Sequence, residues 1–97
     1  MRDIPGVEER PSQWGADPAF WIDNREFVHV HAGEVEIRVT RRRMRDALSD
    51  PRVVRRTPTS DWVQVPIGES ALAQRLARVA LDANRRRPAG RGQAGGR

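Results

Sequence analysis

The chain has 97 residues, no cysteine, and 18 basic side chains, all arginine, against 13 acids, for a net charge of +5. That length supports one domain with a modest core, and the missing thiols exclude a disulfide framework, a thiolate metal site and a cysteine nucleophile. No apolar run approaches the roughly 18 residues of a membrane span, and the first ten residues lack the apolar centre of a signal peptide, so the expectation is a cytoplasmic protein with no membrane partner.

The charge is unevenly spread. Residues 85–97 hold five arginines and no acid, whereas the other 84 carry 13 arginines against 13 acids. Residues 88–97 have no large apolar side chain to repay their ordering entropy, so they read as a disordered basic tail behind a single domain over residues 1–87. Within that domain, residues 1–40 carry 4 Arg against 8 acids and residues 41–56 carry 7 Arg against 2 Asp.

In chain order, strands are predicted over Val7–Arg10, Ala19–Asp23, Arg25–His31 and Val35–Val39, from their alternating apolar and polar side chains. A short helix follows over Arg41–Ser49, with Thr40 as its cap, Met44, Ala47 and Leu48 as its buried stripe, and Pro51 beyond its end. Strands over Val53–Arg56 and Trp62–Ile67 flank a turn built on Thr57, Pro58, Thr59 and Ser60, and Pro66 puts the end of the second at a sheet edge. An amphipathic helix over Glu69–Arg86 buries Leu72, Leu76, Val79, Ala80 and Ala83. The expected fold is α+β: a single layer of antiparallel sheet, about five or six strands, with two helices on one face.

The stretch Trp21–His31 is the most informative. A two-residue turn at Ala32-Gly33 opposes His31 to Glu34, Val30 to Val35, His29 to Glu36, Val28 to Ile37 and Phe27 to Arg38. Val28, Val30, Val35, Ile37 and Val39 then share the face that the helices cover, joined by Val63, Val65 and Ile67 and also by Glu26. Val30, Val65 and Leu76 are expected to be buried together. Phe27, His29, His31, Glu34, Glu36 and Arg38 share the opposite face with Trp62 and Gln64, and that face is expected to be open or half-open. A one-residue slip would mix the two sets, so the pattern itself selects the register.

These residues resemble a known family. REFVHVHAGEVEIRVTRRRMRDAL, followed after a spacer by SDWVQVPI, is similar to the bacterial luciferase-domain family over about residues 4–84. The shared elements are a Glu-x-x-His-x-His strand (Glu26, His29, His31), an arginine-bearing helix (Arg45) and a Trp-Val strand (Trp62, Val63), after an early Pro5-Gly6-Val7. The chain departs from the family pattern with Asp61 in place of a glycine. It also carries Val53-Val54-Arg55-Arg56 where many members have a His-His pair. The family has a helix before its Pro-Gly-Val, so the resemblance implies a trimmed version. It implies no defined activity.

Four chemical readings follow. The favoured one is a ligand or protein-interaction face made of Phe27, His29, His31, Glu36, Arg38 and Trp62, its small ligand or protein partner and any cofactor unknown; the three tryptophans, Trp14, Trp21 and Trp62, raise its weight. A divalent-metal site would use His29, His31 and Glu36, against the plain alternative of cross-strand His–Glu pairs on a solvated face. Nucleic acid would be met by Arg41, Arg42, Arg43, Arg45, Arg55 and Arg56, extended by the tail, against the plain alternative of solvated helix arginines, one of them (Arg42) spaced to pair with Asp46. For catalysis, Glu36 beside His29 is a better acid/base couple than Glu26, but no nucleophile elbow is present and Ser60 and Asp61 read as turn residues. No catalytic residue is assigned.

Overall fold

A computed structural model describes residues 4–15 and 17–85. The expected tail over residues 88–97, and the ends of the expected domain, lie outside them. Six strands form one antiparallel sheet in the order β1-β2-β3-β4-β6-β5. In chain order these are β1 (Val7–Pro11), β2 (Pro18–Ile22), β3 (Arg25–His31), β4 (Glu34–Arg38), α1 (Thr40–Leu48), β5 (Val54–Arg55), β6 (Trp62–Pro66) and α2 (Ser70–Asn84). No helix among the described residues is long and apolar enough to cross a membrane.

The first four strands form a meander whose turns follow from local backbone chemistry. Asp23 and Asn24 join β2 to β3, and Ala32 and Gly33 join β3 to β4; all four have positive φ. Tight hairpins need that sign at both central positions because it matches the twist of the flanking strands. The β3–β4 register is the expected one from Val28–Ile37 through His31–Glu34. After β4 the chain crosses through α1 to β5 and returns as β6, which inserts between β4 and β5. Pro66 is the last residue of β6, so its missing N–H falls where the ladder runs out.

Both helices cover the valine face. Ile37, Val39, Val63 and Val65 are fully buried beneath Met44 and Ala47 of α1 and Leu72, Leu76, Ala77, Ala80 and Leu81 of α2. The buried stripe of α2 is therefore turned slightly from the expected one: Ala77, Leu81 and Asn84 face inward, and Val79 and Ala83 are only half-buried. Leu48 of α1 and Ile67 are exposed rather than buried. Val30 is 43% exposed, which corrects its expected place in the core. The β2–β3 ladder ends at His29, so Val30 lacks a neighbour on that side and sits beside the hairpin turn.

Thr40 is also corrected. It makes no side-chain cap; Val39 occupies the cap position, and Thr40 opens the helix at φ +71°. Its N–H donates to the Asp61 carbonyl at 3.2 Å, so the chain turns sharply into α1 while still tied to the start of β6. A β-branched residue in this region is strained.

The core assignment predicts opposite outcomes at two apolar positions. Leu76→Ala costs about 2–5 kcal/mol, as for other deletions of a buried leucine. Val30→Ala costs about 0.5 kcal/mol or less, as for surface changes. Equal costs in chemical denaturation would contradict the assignment.

Candidate functional site

The face opposite the helices is organised by one irregularity in β3. Pairing with β2 steps from Trp21–Glu26 to Phe20–Val28, so β3 carries one residue more than β2 at Phe27. In such a bulge the two residues opposed to one partner residue present their side chains to the same side of the sheet. Phe27 and Val28 thus both enter the core, where Phe27 is fully buried. The alternation restarts around them and puts Glu26 on the same face as His29. Two sequence expectations are corrected together: Phe27 is a core residue outside the site, and Glu26 belongs to the site.

Glu26, His29 and Glu36 then form a buried polar row, 2%, 7% and 1% exposed. His29 Nε2 lies 2.6 Å from Glu36 Oε1 and its Nδ1 lies 2.8 Å from Glu26 Oε2. The Nδ1 approach is close but off the line of a hydrogen bond, so this nitrogen has no well-aligned partner. Glu36 Oε2 accepts from the Gln64 amide at 2.8 Å, and Arg56 Nε stands 3.9 Å from Oε1. Burial pushes the Glu36 carboxyl up, but the Gln64 amide, the His29 ring and the Arg56 charge pull it down further, and the balance is below its ordinary 4.5. With Glu36 ionised, Nε2–H donates to it.

Glu26 also anchors the loop between β1 and β2. The Ser12 hydroxyl donates to Oε2 at 2.7 Å and the Gln13 N–H donates to Oε1 at 2.9 Å. The next residue, Trp14, donates its N–H to Ser12 Oγ at 3.2 Å. This hold lays the Trp14 indole over the row: its ring centroid is 5.4 Å from His29 and 5.5 Å from Trp62, both edge-on. Trp62 lies 4.8 Å from the His29 ring, and the Arg56 guanidinium stands 5.7 Å from the Trp14 centroid. Trp14 nevertheless remains 57% exposed. Clefts open on either side of it. The larger, about 370 Å³, is lined by Trp14, Trp21, Trp62, Arg25, Arg38 and Glu26, among others. The smaller, about 150 Å³, is lined by Trp14, His29, His31, Glu36, Arg56 and Asp17, among others.

The wall of the larger cleft is fixed by Asn84, a residue that no pattern in the sequence singles out. Asn84 is fully buried at the end of α2 and donates its amide to the Arg38 and Ala80 carbonyls at 2.8 and 2.7 Å. Its side-chain oxygen accepts from Arg38 Nη1, and its backbone carbonyl accepts from Arg25 Nη1 at 3.2 Å. Arg38 Nη2 also donates to Asp61 at 3.3 Å. Two guanidinium groups thus sit at the negative end of the helix dipole.

Of the expected interaction face, His29, Glu36, Arg38 and Trp62 come together, while His31 is exposed at the margin of the smaller cleft. The expected metal set is corrected. Both His29 nitrogens already face carboxylates, His31 is solvated, and among the described residues no group of three or more His, Asp or Glu side chains is arranged to hold a metal ion. The expected arginine edge is divided. Arg56 turns to Glu36 and Trp14, Arg43 approaches Asp82 at 3.8 Å, and Arg55 donates to the Ser60 carbonyl; Arg41, Arg45 and Arg55 line a groove beside Met44 and Leu48. Ser60 accepts the Trp62 N–H and Asp61 pairs with Arg38, so both serve the turn and strand start.

The lowered Glu36 carboxyl carries a stability consequence. A group whose folded value lies below its unfolded one stabilises the fold above the unfolded value, and this is lost as pH falls through the folded one. The wild-type chain should therefore lose stability relative to Glu36→Gln as pH falls below 4.5. Melting curves of the two chains that stay parallel through that range would contradict it. No family model, curated protein or solved structure matches the chain, so the functional reading rests on its own residues.

Proposed function

We propose that the chain is a small ligand-binding module whose ligand seats against Trp14, in the clefts that flank it. The carrying observation is the combination of an exposed indole and a fixed floor. Trp14 keeps over half its surface in contact with solvent, yet it rests on a buried row in which Glu26 and Glu36 are held by Ser12, Gln13 and Gln64. An aromatic wall with few, pre-oriented polar groups is the usual make-up of a small-molecule site. Concave clefts favour a small ligand over a flat protein partner.

Glu26 and His29 touch each other, and Glu26 also holds the loop that carries Trp14. The reading assigns these residues to shaping a binding face and gives the protein no catalytic step. A nucleic-acid role is less well supported, because the arginines of residues 41–56 point to different partners.

Amide and indole NMR signals of the labelled chain, followed through a collection of small aromatic and polar compounds, test the proposal. Binders should shift the Trp14 and Trp62 indole N–H and the Gln64 side-chain amide. Trp14→Ala should weaken them about tenfold or more, as expected when a central indole anchor is removed, while the chain still folds cooperatively. Shifts confined to the groove beside α1, or no binder at all, would overturn the reading.

A further inference from the structure

We infer that the larger cleft takes a small planar aromatic carboxylate. This rests on the ligand-binding reading above and adds to it the ligand's shape and charge. At about 370 Å³ the cleft lies at the low end of the ligand-pocket range, room for a molecule of one or two rings. Indoles from Trp14, Trp21 and Trp62 supply the apolar lining, which favours a flat body over a branched one.

The charge follows from what lines the cleft and how it is already engaged. Arg25 and Arg38 are the cations and Glu26 is the one acid among the described lining residues. Glu26 is 2% exposed, and its oxygens are committed to the Ser12 hydroxyl and the Gln13 N–H with His29 alongside. A cationic ligand therefore meets no uncommitted carboxylate among the described lining residues. Arg38, by contrast, spends one N–H of each terminal nitrogen on Asn84 and Asp61, out of the five a guanidinium carries. Asn84 orients both arginines, so little side-chain freedom is lost when a carboxylate docks. A planar guanidinium suits a planar carboxylate, through paired N–H donors. The smaller cleft lacks these features: it mixes Arg56 and two histidines with Asp17 and Glu36 in about 150 Å³.

Calorimetry of the full chain with three probes that share one ring system tests this: 2-naphthoate, 2-naphthamide and 2-naphthylmethylammonium. The expected result is one-to-one binding of the naphthoate, at least tenfold tighter than the amide, with no saturable heat from the ammonium. Arg25→Gln, a change at an exposed strand end, should weaken naphthoate about tenfold and leave the amide unaffected; Trp14→Ala should weaken both. Amide or ammonium binding as tight as the acid, still lost in Trp14→Ala, would overturn the ligand class and leave the site standing. Naphthoate binding indifferent to both substitutions would mean it seats elsewhere, and no saturable heat from any probe would reject the class outright.

Discussion

The bulge at Phe27 is the constraint on which the functional face depends. Without the extra residue, strict alternation would send Glu26 into the core and Phe27 into the polar row. With it, the core gains a fully buried phenylalanine, a side chain whose burial contributes about 1.5–3 kcal/mol. The same irregularity brings Glu26 to His29. One backbone feature thus settles which aromatic ring joins the hydrophobic core and which carboxylate joins the site.

Burying two carboxylates and an imidazole is costly unless each finds partners. Here the partners come from four separate segments: Ser12 and Gln13 from the loop after β1, His29 from β3, Gln64 from β6, and Arg56 from just after β5. The row therefore does more than line a cavity. Satisfying its acceptors fixes where the first loop lies, and with it Trp14. On the other side of Trp62, Asn84 plays the matching part, tying the end of α2 to Arg25 and Arg38. The larger cleft is bounded by these two clasps. Its shape thus follows from hydrogen-bond accounting as much as from apolar packing.

Much of the fold was legible because period-2 alternation and turn chemistry agree along residues 28–37. Once Ala32-Gly33 is taken as the turn, His29 must face Glu36, and it does. Trp62 and Gln64 were placed on the right face by the same logic. The bulge was not legible, since nothing local distinguishes Glu26-Phe27-Val28 from a regular strand. It is selected by the tertiary gain of burying Phe27 and pairing Glu26. Thr40 misled for a related reason: its residue type suits a cap, but the tie to Asp61 imposes a different backbone. Asn84 was invisible because an asparagine near a helix end usually faces water, and only the approach of Arg38 gives it a reason to be buried. The arginines of residues 41–56 looked like one surface in sequence, yet Arg55 ends β5 and Arg56 follows it, each with a different partner.

The most direct test of this account is a set of proton–proton NOE measurements on the Phe27 and His29 rings. The bulged strand predicts contacts from Phe27 ring protons to methyl groups of the core cluster that includes Ile37, Met44 and Leu76. It also predicts contacts from the His29 ring to both the Trp14 and Trp62 indoles. Phe27 contacts to His29 and Trp62, with none to the core methyls, would mean that β3 runs without the extra residue. Glu26 would then leave the site, and the account of the face would fail with it.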